Sequence, residues 1–235
     1  MAMGLTIKPE QKAAVLVVYT PPRRITVDES LWKFQGHFAA VTFNSSMRAH
    51  FGVKVYKLVV SEGPSHGYMC AFEIYMGKDK GEVPASQRAV INLMGASGLL
   101  NKGYELYTDN WYTSPILFYY LQTRVTIGVG TVHVNRKFMP KDLQVRASRD
   151  MDSRSTSTGM LCLQWRDKRV VTMLWTVHRS EMVATLSQRG IARSKPQVVS
   201  DYNNGMKGVD VSDQLAQSYP TYRKSFKCTR HSEGI

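Results

Sequence analysis

With 235 residues, 43% of them hydrophobic, the chain has enough apolar material for one large core or two small ones, which excludes disorder along its whole length. The 31 Lys and Arg against 18 Asp and Glu leave a net charge of +13, a surplus that suits a solvated basic surface and also draws polyanions, nucleic acid first among them, through salt-sensitive contacts. Cys70, Cys162 and Cys228 lack metal-ligand spacing, the six histidines are scattered, and no apolar run is long enough to span a bilayer, so a reduced, non-membrane, non-secreted protein is expected.

In chain order, residues 1–18 carry no assignable pattern and are expected to be poorly ordered, with Pro21-Pro22-Arg23-Arg24 closing the stretch. Residues 53–60 read as a central strand, 62–67 as a turn and 68–75 as a second strand, together an antiparallel hairpin. After a polar connection, Ser86 is placed to cap a helix reaching residue 96, with Val90, Leu93 and Met94 on its buried face. Gly98 and the 101–103 turn stop it. Tyr104, Leu106 and Thr108 alternate with Glu105 and Tyr107 in a short strand that runs out at Asp109. Thr113 or Ser114 caps the helix over 116–122, Pro115 suits its first position, and Leu117, Tyr120 and Leu121 share a face.

A strand over 126–132 follows, its Gly128 and Gly130 permitting close backbone approach. Residues 135–158 turn to Arg, Lys, Asp and Ser, as in an exposed basic connection, and the 153–158 run predicts mobility. Strands over 160–165 and 170–175 form a hairpin across Arg166-Asp167-Lys168-Arg169, which residues 181–188 extend. A helix over 208–217 offers Val209, Val211, Leu215 and Ala216 for packing.

Asp109 is the residue on which function turns. A carboxylate where a strand opens into a loop is held rigidly at a place that admits substrate, but an Asp before Asn also makes an ordinary turn through nearby backbone N–H groups. The run Asp109-Asn110-Trp111-Tyr112-Thr113-Ser114 resembles the signature of piggyBac-type DDE transposases and their host-domesticated relatives. Ile25-Thr26-Val27-Asp28-Glu29-Ser30-Leu31 resembles that family's opening motif, Phe51-Gly52-Val53-Lys54 the segment feeding its first core strand, and Gly128-Val129-Gly130-Thr131-Val132 the strand after the signature. Asn135-Arg136-Lys137, Pro140-Lys141, Asp201-Tyr202-Asn203 and Lys207-Gly208-Val209-Asp210-Val211-Ser212-Asp213-Gln214 follow in the family's order, the last as its final acidic motif, so the resemblance covers roughly 19–224.

The resemblance implies an α/β fold, a ribonuclease-H-like mixed sheet with flanking helices and an inserted β-hairpin region, incomplete at the C-terminal end. The divisions expected are a poorly ordered segment 1–18, a first core part 19–134, a basic linker and inserted β region 135–200, a last acidic helix 201–224 and an atypical tail 225–235. It also implies a nuclear location and carboxylates that hold two divalent metals, Mg²⁺ or Mn²⁺, about 4 Å apart. Asp109 matches the second acid and Asp210 and Asp213, one helical turn apart, match the last pair; Asp109 and Asp210 lead the metal ligands.

The first acid falls on Val60, which cannot bind a metal; a shifted alignment offers Glu62, although Gly63-Pro64 makes Glu62 more a turn carboxylate than a ligand. The expectation is therefore a transposon-derived protein without DNA cleavage and with residual, non-specific DNA binding. The alternatives are an active two-metal transposase or nuclease using Glu62, Asp109, Asp210 and Asp213, and a remnant acting through a protein partner or as a homo-oligomer. Arg136, Lys137 and Lys141 are the DNA-contacting candidates, and Trp111 either stacks on a base or packs beneath the signature loop.

Overall fold

Alternation of Ile25 and Val27 with Thr26 and Asp28 is a period-two pattern, and it yields the ten-residue strand β1 (Arg24–Lys33). The computed structural model describes residues 19–33, 41–43, 51–77, 81–176, 181–186 and 192–219. Three strands follow: β2 (Val41–Phe43), β3 (Phe51–Val60) and β4 (Met69–Ile74). Helix α1 (Ala85–Ala96), β5 (Glu105–Thr108), α2 (Pro115–Thr123) and β6 (Ile127–Thr131) come next. The rest comprises β7 (Met151–Ser155), β8 (Leu161–Arg166), β9 (Val170–Trp175), β10 (Met182–Leu186), β11 (Ala192–Pro196), α3 (Gln197–Gly205) and α4 (Gly208–Ser218).

The main sheet runs β2-β3-β1-β5-β6-β9-β8-β7, with β4 also paired to β3. At its centre β1, β5 and β6 are parallel, and β3 and β9 close on this core antiparallel from either side. The mixed sheet with flanking helices is the fold class expected from the sequence, and β3 with β4 is the expected hairpin, with a register shift at Leu58/Val59. Ile25, Val27, Leu58 and Leu106 pack with Val90, Leu93 and Met94 of α1 and Leu117, Phe118 and Leu121 of α2 in one core. A second cluster joins Tyr107, Val129, Met173 and Trp175 to Val198 and Val199 of α3. Each such side chain contributes about 1.5–3 kcal/mol when removed from water.

Local chemistry explains the helix starts. Ser114 caps α2 by accepting from the Leu117 N–H at 3.2 Å, and Pro115 takes the first position, where an N–H is not needed. Ser86 does not cap α1: Pro84, held extended, precedes the helix, and Ser86 is buried within its first turn. The 153–158 run does not form a wholly irregular stretch either, because Ser153–Ser155 belong to β7, which pairs with β8, and Arg154 joins Asp142 and Asp152. The strand near 182–186 does not extend the β8–β9 hairpin; β10 pairs with β11 in a separate two-stranded sheet. The expected segments 1–18 and 225–235 lie outside the described residues.

Two glycines mark where backbones press together. A Cβ on Gly130 would run into the Thr113 hydroxyl, which binds β5 to the signature loop. At Gly208, which opens α4, a Cβ would meet Thr26 Cγ2 at 2.7 Å, Ser61 Oγ at 2.9 Å and the Val60 carbonyl at 3.1 Å. Gly208→Ala is therefore expected to push α4 off β1 and β3 and to lower stability by about 1–3 kcal/mol in urea unfolding, the usual scale of overpacking. An unchanged midpoint would show that α4 is not seated this tightly.

Candidate active site

The parallel register of β1 and β5 pairs Val27 with Thr108, so one residue further Asp28 comes alongside Asp109. Adjacent strands lie about 4.8 Å apart, and the two carboxylates are electrostatic neighbours. Asp28 points to the face opposite Val27 and Leu58, because it is the cross-strand partner of Lys57. Burial first, and then the negative charges of Glu29, Asp109 and Asp210, push its carboxyl from 3.8 up to about 7, against the Glu29 N–H that donates to Asp28 Oδ1 at 2.8 Å. Burial likewise raises Asp109 above the usual carboxylate range. Asp109 Oδ1 accepts from the Trp111 and Tyr112 N–H groups, as a turn former does, while Oδ2 has no hydrogen bond among the described residues.

Asp210 lies in the first turn of α4 and is exposed, within electrostatic reach of Asp28. Asp213, one turn on, is engaged elsewhere: its Oδ1 accepts from Lys57 Nζ at 2.5 Å and from Ser30 Oγ at 2.8 Å. From α3, Tyr202 shares a hydrogen bond of 3.2 Å with the Thr131 hydroxyl, and burial, helped by Asp109 and Asp28, pushes its phenol up to about 12. Glu29, on the other face of β1, is held by Lys54 at 3.3 Å and by the Tyr112 hydroxyl at 3.1 Å.

The positions that the sequence alignment offered for a first acid lie elsewhere. Val60 is fully buried opposite Ile25, on the α1 face and not on that of Asp28. Glu62 follows the end of β3 and faces Arg24, accepting from its N–H at 2.9 Å and pairing with its guanidinium at 3.8 Å. Asp28 was missed because the opening motif was not read as a strand, although Ile25 and Val27 alternate with Thr26 and Asp28 just after Pro21-Pro22.

The DNA-contacting candidates divide similarly. Trp111 packs against Tyr56 with ring centroids 5.6 Å apart and stands 4.8 Å from Lys54 Nζ, which is the packing alternative. Arg136 is turned inward, donating to the Asn110 and Trp111 carbonyls at 3.0 and 2.7 Å, and so braces the signature loop. Lys137 and Lys141 are exposed, and Lys137 Nζ lies 5.0 Å from the Phe138 ring.

Asp28, Asp109 and Asp210 offer carboxylate oxygens alone, the donor type that suits Mg²⁺ or Mn²⁺, and a bound cation would relieve the charge repulsion that adds to burial in raising Asp28. Among the described residues no three His, Cys, Asp or Glu side chains stand close enough to hold an ion as placed. Asp210 is exposed and without a hydrogen bond among the described residues.

A carboxyl raised in the folded state keeps its proton to higher pH than in the unfolded chain, so it lowers stability as pH rises from about 4 to about 7. Asp28→Asn retains the acceptor for the Glu29 N–H and removes the charge. In metal-free buffer it is expected to stabilise the protein by about 1–4 kcal/mol above about pH 7 and by almost nothing near about pH 4, measured by urea unfolding at both values. A pH-independent effect would show that Asp28 carries no such strain.

Residues 12–231 match the family described as Transposase IS4. The human PiggyBac transposable element-derived protein 3 is 27% identical over 169 residues, 65% of this chain and 28% of that protein. The human Chimeric ERCC6-PGBD3 protein matches at the same identity, over 16% of its length, so the chain spans less than a third of these curated relatives. A solved structure, the cryo-EM structure of a piggyBac transposase synaptic complex with hairpin DNA, superposes with a TM-score of 0.70 at 24% identity, covering 85% of this chain and 41% of that one. The fold is that ribonuclease-H-like fold, and the chain belongs to the piggyBac-type DDE transposase family.

Proposed function

We propose that this chain carries a metal-dependent site for phosphodiester chemistry on DNA, built from Asp28, Asp109 and Asp210 and acting in the nucleus. The observation that carries the reading is the placement of Asp28 beside Asp109, with Asp210 in electrostatic reach. One of the two grounds for expecting lost cleavage, beside the incomplete C-terminal end, was Val60, a position that faces the other side of the sheet.

Mg²⁺ or Mn²⁺ would supply Lewis acidity and a water or hydroxyl nucleophile of lowered pKa. The residues do the placing. β1 and β5 hold Asp28 and Asp109 on adjacent rigid strands, and the Trp111 and Tyr112 N–H groups fix the Asp109 rotamer through one oxygen. Arg136 keeps the loop after Asp109 closed, and Tyr202 walls the acids from the α3 side. The net charge of +13 gathers DNA without sequence preference, and the matched structure's hairpin DNA makes a hairpin end the natural substrate to test.

A second reading, a DNA-binding module that does not cut, is favoured by the absence of a ready-made three-carboxylate cage among the described residues. Calorimetric titration with Mn²⁺ and a nicking assay on hairpin DNA separate the two. Under the proposal Mn²⁺ binds, Asp28→Asn and Asp109→Asn each abolish nicking and weaken binding at least about tenfold, as loss of a buried ligand does, and Glu62→Gln changes neither. Salt-sensitive DNA binding with neither Mn²⁺ uptake nor nicking would establish the module instead.

A further inference from the structure

Lys57 is a charged group with almost no access to water. It sits within β3, 2% exposed, directly across from Asp28 on β1. An ammonium in such a place is costly unless paired. The pairing is made by Asp213 at 2.5 Å, Ser30 donates to the same carboxylate oxygen at 2.8 Å, and the Trp32 ring lies 5.5 Å from the ammonium. Three elements, β3, β1 and α4, thus meet at one Asp213 oxygen.

Apart from this ion pair α4 is held by close packing, Gly208 against Thr26 and Ser61 and Val211 and Leu215 against Gly67. Its buried residues are Gly208, Val209 and Ser212, and Leu215 is 47% exposed, a narrow apolar face for a helix on a sheet. Asp210 stands one turn from Asp213, about 4.5 Å along the axis, so whatever fixes Asp213 fixes both the height and the rotation of Asp210.

We propose that Lys57 is a positioning residue: its buried ammonium occupies Asp213, withdraws that carboxylate from the metal-binding set, and thereby locks α4 so that Asp210 faces Asp28. This rests on the reading of Asp28, Asp109 and Asp210 as the metal site, and it divides the final acidic motif into one ligand, Asp210, and one fastener, Asp213.

The test uses the full chain and the paired variant Lys57→Met with Asp213→Ala, which leaves no unpaired buried charge. Two readouts are taken: hydrogen exchange of the α4 amides without metal, and Mn²⁺ affinity by calorimetry, each with and without Asp210→Asn. The paired variant is expected to keep its circular dichroism spectrum and lose at least about tenfold of α4 amide protection. It should bind Mn²⁺ about tenfold more weakly, and Asp210→Asn, costly in the parent, should add little to it, as for residues acting in one network.

Unchanged α4 protection together with an undiminished Asp210→Asn penalty overturns the proposal. So does loss of one bound ion with α4 protection intact, which would make Asp213 a ligand. If the parent takes up no Mn²⁺, the metal-site reading fails, and with it Asp210's assigned role; normal α4 protection in the paired variant would then also remove the fastener.

Discussion

Everything at this site depends on the pairing of β1 with β5. Two parallel strands in register place Asp28 beside Asp109 at the heart of the sheet, and the negative charges of Glu29, Asp109 and Asp210 add to burial in raising the Asp28 carboxyl. Like charges held in a partly dry place cost stability, and the rest of the fold supplies it: the α1 and α2 core behind β1, and the α3 core beside β5 and β6. Carboxyls shifted by burial and by neighbouring carboxylates cluster at functional sites.

Acidic groups that do find a cation behave differently. Glu62 and Glu105 meet Arg24, Glu29 meets Lys54, and Asp142 and Asp152 meet Arg154. Asp213 meets Lys57. Opposite charge within reach lowers the energy of each, and such pairs account for themselves as structure. Asp28, Asp109 and Asp210 form no ion pair among the described residues, and Asp109 and Asp210 both lie within electrostatic reach of Asp28.

The outer part of the same sheet carries a different burden. Trp32 and Phe72 have ring centroids 5.6 Å apart and Phe43 and Phe51 5.0 Å, and all four are exposed, as are Ile74 and Met76. These side chains lie along the β2–β3–β4 edge, and Phe72, the cross-strand partner of Lys57, stands on the Lys57 face of the sheet.

Much was legible in the residues themselves. Strand alternation in Tyr104 to Thr108, Ser114 and Pro115 at the start of α2, the β3–β4 and β8–β9 hairpins, and Asp109 at a strand end all follow from local periodicity and capping. Neighbourhood across the sheet does not. Asp28 and Asp109 are far apart in the chain, and local pattern carries no information about which strand lies beside which, so nothing local marks Asp28 as a neighbour of Asp109. Equally, nothing in the spacing of Asp210 and Asp213 says that one is free and the other bound to Lys57, because that depends on which face of a distant strand buries an ammonium. Residue types and local order were determined by the sequence alone; the partners of each charge were decided only by tertiary packing, since electrostatic pairing acts through space between residues the chain does not connect.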